Sequence, residues 1–225
     1  MRTLHATILA LSAFAALAAF APVASAQDAK AGNAKEGEAK AAMCIGCHGI
    51  PYYQASFPEV HKVPMISGQS AKYIASALGA YKKGERKHPT MRAIADSLSD
   101  KDVADLAAFY ESHTVPGKPL PAKAEPEPST QVAELLKKAN CASCHGDNFS
   151  KPIDPSYPKI AGQHADYLYV ALKSYQVNNN AHVGRANPIM AGMANQYKHA
   201  ELKQLANYLA SLPSELQTVA QPRLR

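Results

Sequence analysis

Apolar positions recur at helical spacing in several separate stretches of the chain. Within residues 71–82 they fall three to four residues apart, directly after Ser70, which we expect to cap that helix. The segment 30–43 is rich in Ala, Lys and Glu and is predicted to be helical. Because no stretch shows the alternation of a convincing β-strand, the pattern predicts an all-α protein. Further helices are expected over 103–112, 131–140, 164–176 and 200–212.

Polar residues ahead of two of these helices have the spacing of N-terminal caps. Ser99 and Asp102 resemble a capping box for the helix over 103–112, with Asp in place of the usual Glu or Gln. Thr130 is expected to cap the helix over 131–140.

The helical pattern occurs twice, because the chain is an internal repeat. Its four cysteines lie in two copies of one motif, Cys44–His48 and Cys141–His145, 97 residues apart. A Pro-x-Ile-x-Gly-Gln segment recurs at 64–69 and 158–163. Matching blocks in the same order indicate a duplicated unit. Single residues that match between the copies are Tyr73 with Tyr167, Tyr81 with Tyr175, Met91 with Met190, Leu106 with Leu205 and Phe109 with Tyr208.

The repeat divides the chain into two predicted domains. We assign the N-terminal domain to residues 27–113 and the C-terminal domain to residues 131–225. The segment 114–130 between them carries five prolines and is predicted to be a semi-extended connector without helix or core.

Residues 1–26 are predicted to be a secretory signal peptide. Arg2 is the only charge in this segment, an apolar run covers 8–20, and Ala-Ser-Ala at 24–26 has the small-residue pattern of a cleavage site. The apolar run is shorter than a membrane span requires. We therefore expect export to the periplasm and cleavage after Ala26.

Composition and charge exclude some classes of function. A hydrophobic fraction of 47% excludes disorder throughout the chain. The net charge of +6 falls to +5 without the leader and is too small to indicate nucleic-acid binding. Most of the excess lies in the C-terminal unit, where basic residues could attract an acidic partner or merely solvate the surface: Lys137, Lys138, Lys151, Lys159, Lys173, Lys198 and Lys203.

The repeated C-x-x-C-H motif predicts covalent haem. Two thiols on one short turn add to the two vinyl groups of a haem, and the adjacent histidine reaches the iron. We therefore predict two haem c groups, one on Cys44 and Cys47 and one on Cys141 and Cys144. A thioredoxin-like site would need alternating strands and helices, and a four-cysteine zinc site would need its pairs 15–20 residues apart. Two disulfides would not explain the histidines.

Each haem iron needs two axial ligands, and the motif supplies His48 and His145. Methionine as the sixth ligand closes the iron and raises its reduction potential. Met91 and Met190 are predicted for this role because they align in the repeat, and Met193 is the reserve candidate in the second unit. Histidine is the alternative ligand, but the remaining histidines do not align between the units and are expected to be solvated.

These motifs resemble the dihaem cytochrome c4 family, which has two class I cytochrome c domains in one chain. The resemblance covers nearly all of residues 27–225. It implies helices wrapped around each haem, and a backbone carbonyl in the Pro64 and Pro158 loops that binds the proximal histidine ring. It also implies a soluble or loosely membrane-associated periplasmic carrier between a quinol-oxidising complex and a terminal oxidase. The stretch 50–63 departs from the pattern because it is longer than its counterpart, 147–157.

The predicted function is one-electron transfer without bond chemistry, which is not an enzymatic activity. Two alternatives stay open at the level of sequence. The chain could be the electron-accepting subunit of a periplasmic dehydrogenase, which also uses closed irons. A haem peroxidase would instead need one iron with an open distal position.

Overall fold

The computed structural model describes residues 31–114 and 119–220. The predicted signal peptide, residues 1–26, lies outside the described residues. We refer to residues 31–114 as the N-terminal half and to residues 119–220 as the C-terminal half. Within the described residues both halves are helical and the strands are only two residues long, which confirms the predicted all-α class. In this part of the chain, no helix has the length and apolar content needed to cross a membrane.

The two halves contain the same series of helices. The N-terminal half contains α1 (Ala34–Lys40), α2 (Ala42–His48), β1 (Gln54–Ala55), β2 (His61–Lys62), α3 (Ala71–Lys82), β3 (Arg86–Lys87), α4 (Pro89–Asp96) and α5 (Asp100–Ser112). The C-terminal half contains α6 (Thr130–Lys138), α7 (Ala142–His145), α8 (Ala165–Ser174), β4 (Gly184–Arg185), α9 (Pro188–Ala194) and α10 (His199–Ser211).

The predicted helices are present, but one predicted cap residue is wrong and another makes no cap bond with its side chain. Ser70 is the N-cap residue of α3 as predicted, but its hydroxyl makes no cap bond and instead donates to the carbonyl of Pro155 in the other half, at 2.6 Å. The cap of α6 is Ser129, so Thr130 is the first residue of the helix. The capping box of Ser99 and Asp102 is confirmed.

In the N-terminal half, α1 crosses α5 at close range. A Cβ at Gly37 would lie 2.1 Å from the backbone oxygen of Asp105, so only glycine fits at this crossing. The buried Asp105 carboxylate accepts from the backbone N–H of Asn33 and pairs with Lys40 and Lys101, each at 2.6 Å. The bonds from Asn33 and Lys40 therefore hold both ends of α1 to α5, while Lys101 pairs with Asp105 within α5.

In the C-terminal half, α8 and α6 pack on α10 around an apolar core that includes Ala161, Leu168, Leu202 and Leu209. The connector also contributes, since Ala124 packs against this core and Tyr208 donates to the carbonyl of Pro126. The prediction that the connector takes no part in a core is therefore wrong for this stretch.

The halves face each other across several contacts. Strand β3 pairs antiparallel with β4, so Arg86 lies opposite Arg185. The loop 50–63 carries the hairpin of β1 and β2 and reaches the C-terminal half through the ion pairs Lys62–Asp166 at 3.1 Å and Glu59–Lys173 at 2.6 Å. The structure therefore brings the two repeated motifs to one shared region.

Candidate functional site

A cavity of about 1200 Å³ lies between the two halves. Both C-x-x-C-H motifs line it, together with Met91 and Met190. Most of the remaining lining is apolar and comes from α3, α8 and the loops before them. The structure thus brings all eight predicted site residues to the wall of a single cavity.

The two proximal histidines are held in the same way. His48 Nδ1 lies 2.8 Å from the carbonyl oxygen of Pro64, and His145 Nδ1 lies 3.0 Å from that of Pro158. Because a carbonyl only accepts, each Nδ1 must carry the proton and donate, which leaves a lone pair on Nε2. Burial lowers the pKa of both histidines, so both rings are neutral at pH 7. The carbonyl anchor implied by the family resemblance is confirmed.

The cysteines lie on the same short helices as the histidines. Cys44 and Cys47 belong to α2, whereas Cys141 is the N-cap residue of α7 and Cys144 lies within that helix. Burial raises the pKa of the Cys44 thiol, and it raises that of Cys141 to about 11. In the described ranges, no group of three or more His, Cys, Asp or Glu side chains is placed to hold a metal ion.

The two candidate distal methionines occupy matching positions on matching helices. Proline is at the start of both α4 and α9, which suits the first turn of a helix. The backbone N–H of Met91 donates to His88 Nδ1 at 3.4 Å, and that of Met190 donates to Asn187 Oδ1 at 3.0 Å. Met193 also lines the cavity, and in addition it packs on the core formed around Leu202 and Leu205.

One histidine contradicts the expectation that the others are solvated. His61 is 6% exposed, lines the cavity and lies 5.9 Å from the ring of Tyr167. Its Nδ1 is 2.9 Å from the carbonyl of Glu59, within the hairpin of the loop 50–63. The ring is buried because this hairpin folds against the C-terminal half, a contact that sequence does not reveal.

Two cavity arginines without a carboxylate partner in the described part of the chain show whether the cavity suits a haem, which carries two carboxylates. Among the described residues, neither Arg86 nor Arg185 has a carboxylate within ion-pair distance, and Arg86 Nε is buried without a hydrogen-bond partner. Both guanidiniums donate to the hydroxyl of Tyr167, at 3.3 and 3.2 Å. Burial opposes ionisation of Tyr167, but the two guanidiniums outweigh it and lower its pKa to about 8.

These arginines therefore face the cavity as cations without an anionic partner. A haem carries two carboxylates, which would supply that partner, and the cavity otherwise offers the apolar wall, paired thiols and neutral imidazoles that haem c requires. The residues present fit the group. Sequence analysis did not identify Arg86 and Arg185, although they match in the repeat at the same separation as Met91 and Met190.

The proposed basic surface of the C-terminal half is smaller than its sequence predicts. Lys159 and Lys173 both reach the N-terminal half, where Lys159 Nζ donates to the carbonyl of Gly68 at 2.8 Å and Lys173 pairs with Glu59. Lys159 also pairs with Glu215 of its own half, at 2.5 Å. Lys138 donates to the carbonyl of Gln196. Fewer lysines are therefore available to an acidic partner.

Comparison with known proteins gives consistent matches. The family model for cytochrome c matches residues 129–213. The chain is 30% identical to cytochrome c4 of Thiocapsa roseopersicina over 190 residues, which covers 80% of this chain and 93% of that protein. It is 26% identical to a thiosulfate dehydrogenase electron acceptor of Stutzerimonas stutzeri over 178 residues, covering 76% of this chain and 80% of that protein.

Among solved structures, reduced recombinant cytochrome c4 from Pseudomonas stutzeri superposes with a TM-score of 0.61 at 28% identity. The match covers 81% of this chain and all of that one. The repeated motifs, the shared cavity and these relatives lead to one conclusion: the chain belongs to the cytochrome c4 family, whose members are dihaem c-type electron-transfer proteins rather than enzymes.

Proposed function

We propose that this protein is a periplasmic carrier that moves single electrons between respiratory redox partners. The observation that carries the proposal is the duplicated set of histidine and methionine around one cavity. When bound, haem c supplies an iron that takes up and releases one electron. The described residues hold that group, shape its surroundings and exclude water.

The proposal assigns each residue a role. Cys44 and Cys47 form thioether bonds to one haem, and the pair of Cys141 and Cys144 forms those to the other. His48 and His145 present a neutral Nε2 to the iron, since their Nδ1–H groups are donated to proline carbonyls. Met91 and Met190 would supply the thioether sulfurs that complete the coordination of the two irons. Arg86 and Arg185 neutralise the haem carboxylates.

A closed iron on both sides favours electron transfer over catalysis. Histidine and a soft thioether leave no open coordination position for peroxide or another small substrate. The shared cavity also supports transfer between the two haems, because both motifs line one space.

Location and domain organisation are part of the proposal. We assign residues 1–26 to a cleaved signal peptide and 114–130 to a connector between domains 27–113 and 131–225. Periplasmic placement is supported by membership of the cytochrome c4 family. N-terminal sequencing of the exported protein is expected to begin at Gln27, and a chain that retains Met1 would contradict cleavage.

We propose a quinol-oxidising complex as donor and a terminal oxidase as acceptor, on the basis of the family. A second candidate is the electron acceptor of a periplasmic dehydrogenase. It is favoured by the relatives described as thiosulfate dehydrogenase electron acceptors. Stopped-flow reduction of the oxidised protein by a thiosulfate dehydrogenase, compared with reduction by a quinol-oxidising complex, separates the two. Faster reduction by the quinol-oxidising complex would support the respiratory carrier, and faster reduction by the dehydrogenase would support the second candidate.

The axial assignment is tested with Met91→Ala and Met190→Ala in the purified holoprotein. Ferric haem with a methionine ligand has a weak long-wavelength absorption band, and each variant is expected to lose about half of its intensity. Met193→Ala is the matched control in α9 and should retain the full band. A band that survives Met190→Ala but is halved by Met193→Ala would move the second assignment to Met193.

A further inference from the structure

Two glutamines of the repeated Gly-Gln pair cross between the halves. Gln69 donates from Nε2 to the carbonyl of Lys159 at 2.9 Å and accepts at Oε1 from the N–H of the same residue at 3.0 Å. Gln163 binds Met65 in the same way, at 2.8 and 3.0 Å. We call these two contacts the glutamine clamps. Each clamp holds both backbone polar groups of one residue in the other half.

The clamped residue directly follows the proline that anchors a proximal histidine. The N–H of Met65 and the carbonyl of Pro64 belong to one planar peptide group, because the peptide bond joins them. That carbonyl accepts from His48 Nδ1, while the N–H donates to Gln163. A continuous hydrogen-bonded chain therefore runs from the histidine of one half, through a single peptide group, to the glutamine of the other.

The second clamp repeats this chain in the opposite direction. His145 Nδ1 donates to the carbonyl of Pro158, and the N–H of the same peptide group, which belongs to Lys159, donates to Gln69. Met65 and Lys159 differ in side chain without consequence, because the clamp binds only backbone atoms. The two chains are related by the repeat and are reciprocal.

Burial and additional hydrogen bonds fix the side-chain amides of both glutamines in one orientation. Each is 4% exposed, and each Oε1 also accepts from the N–H of the next residue at 3.1 Å. Since these N–H groups can only donate, the orientation of each amide is fixed. The preceding glycines, Gly68 and Gly162, have φ of +82° and +66°, and their N–H groups donate to the last helix of their own half at 2.8 Å.

We propose that Gln69 and Gln163 are positioning residues that act on the haem of the opposite half. This inference rests on the proposed axial roles of His48 and His145. Accepting the N–H polarises the peptide group and makes its carbonyl a better acceptor. A stronger bond at Nδ1 raises the basicity of the imidazole as an iron ligand and so lowers the reduction potential. Each half thereby sets the potential of its neighbour.

The test uses Gln163→Met and Gln69→Met in the holoprotein, because methionine keeps the length of the side chain and removes the amide. In the reduced, diamagnetic protein labelled with ¹⁵N-histidine, NMR measures hydrogen exchange at each Nδ1–H. Gln163→Met is expected to speed exchange at His48 by roughly tenfold and to leave His145 within about twofold. Gln69→Met should give the reverse pattern. In half-reduced protein, each variant should raise the potential of the haem in the half opposite the substitution. The electron should then shift severalfold toward that haem, which is the N-terminal one for Gln163→Met.

Two further variants separate the clamp from general loosening of the contact between halves. Lys62→Met removes the ion pair with Asp166 but leaves both clamps, so exchange at both histidines should match the parent protein. Gln163→Glu keeps an acceptor for the N–H of Met65 and should restore most of the protection of His48. The Glu variant also gives a result if the Met variant fails to fold.

A crossed pattern supports the inference. Equal acceleration at both histidines, acceleration only in the half that carries the substitution, or no change would each overturn it. The same spectra test the axial assignment separately: carbon-bound ring protons of His48 and His145 should show the large ring-current shift of a haem ligand. A parent protein without that shift would overturn the proposed function, and the inference with it.

Discussion

The two halves anchor their proximal histidines alike but enclose them with different loops. Sixteen positions separate His48 from Pro64, whereas thirteen separate His145 from Pro158. The longer loop of the N-terminal half carries the β1–β2 hairpin, and Tyr52, Phe57 and Val60 of this loop are each more than half exposed. In the C-terminal half, the corresponding loop buries Phe149, Asn148 and Ser150 and leaves Ile153 exposed. The histidine anchors at the cavity therefore match between the halves, whereas the loops around the cavity differ.

A second difference concerns how the first helix of each half is attached. Asp105 binds α1 through Lys40 and the N–H of Asn33, and it also pairs with Lys101 of its own helix. Its counterpart in the repeat is Gln204, whose Oε1 is buried without a hydrogen-bond partner in the part of the chain described. The N-terminal half therefore depends on charge where the C-terminal half depends on apolar packing. This contrast teaches that the repeat preserves the haem-facing contacts while the supporting contacts have diverged.

The largest expected effect lies where the halves are alike, at the two arginines. Arg86→Met and Arg185→Met each remove a positive charge from the cavity, which favours the ferric state. We expect both reduction potentials to fall by several tens of millivolts, the size of a charge interaction of about 1 to 2 kcal/mol. Spectroelectrochemical titration measures the shift. Arg92→Met is the control, because Arg92 is an exposed residue of α4 that pairs with Asp96. Potentials as high as those of the control would refute the role of the arginines.

The next effect concerns Asp105. The N–H of Asn33 and the ammonium groups of Lys101 and Lys40 hold the pKa of its carboxyl well below its usual range. A folded-state pKa below the unfolded value gives stability that is present above about pH 4 and is lost as the pH falls toward the folded-state pKa. Asp105→Asn is therefore expected to lower the thermal midpoint at pH 7 by several degrees and to flatten its dependence on acid pH.

The C-terminal half supplies the matched control for this effect. Gln204→Asn keeps a neutral amide at the corresponding position and should leave the acid dependence of the thermal midpoint unchanged. Calorimetry from pH 3 to pH 7 compares the variants. An Asp105→Asn protein with the acid dependence of the parent would show that the carboxylate does not stabilise the N-terminal half.

The smallest effect concerns the β1–β2 hairpin, which the loop of the C-terminal half lacks in the part of the chain described. Lys173→Met removes the ion pair with Glu59, whose two side chains are 22% and 25% exposed. We expect a loss of about 1 kcal/mol or less in the free energy of unfolding, measured with urea. Lys72→Met removes a more exposed pair between the halves, with Asp154, and should have no measurable effect. If both variants lost the same free energy of unfolding, the ion pair of Lys173 with Glu59 would stabilise the protein no more than the exposed pair of Lys72 with Asp154.

The sequence predicted the contacts that are local and missed those between the halves. The C-x-x-C-H spacing, the helix over 71–82 and the capping box of Ser99 depend on neighbouring residues, so periodicity and motif reveal them. The glutamine clamps join residues 90 and 98 positions apart, and no local pattern records which backbone they bind. Ser70 shows the same limit, because local spacing predicts its N-cap position but not that its hydroxyl donates to Pro155 in the other half.

The central claim is that both irons are closed by histidine and methionine and exchange only electrons. The most direct measurement is a spectroelectrochemical titration of the purified holoprotein, carried out under argon and again under carbon monoxide. The account predicts two one-electron steps with the same midpoints under both gases, because a closed iron does not bind carbon monoxide. A step that moves to higher potential under carbon monoxide would reveal an open iron and contradict it.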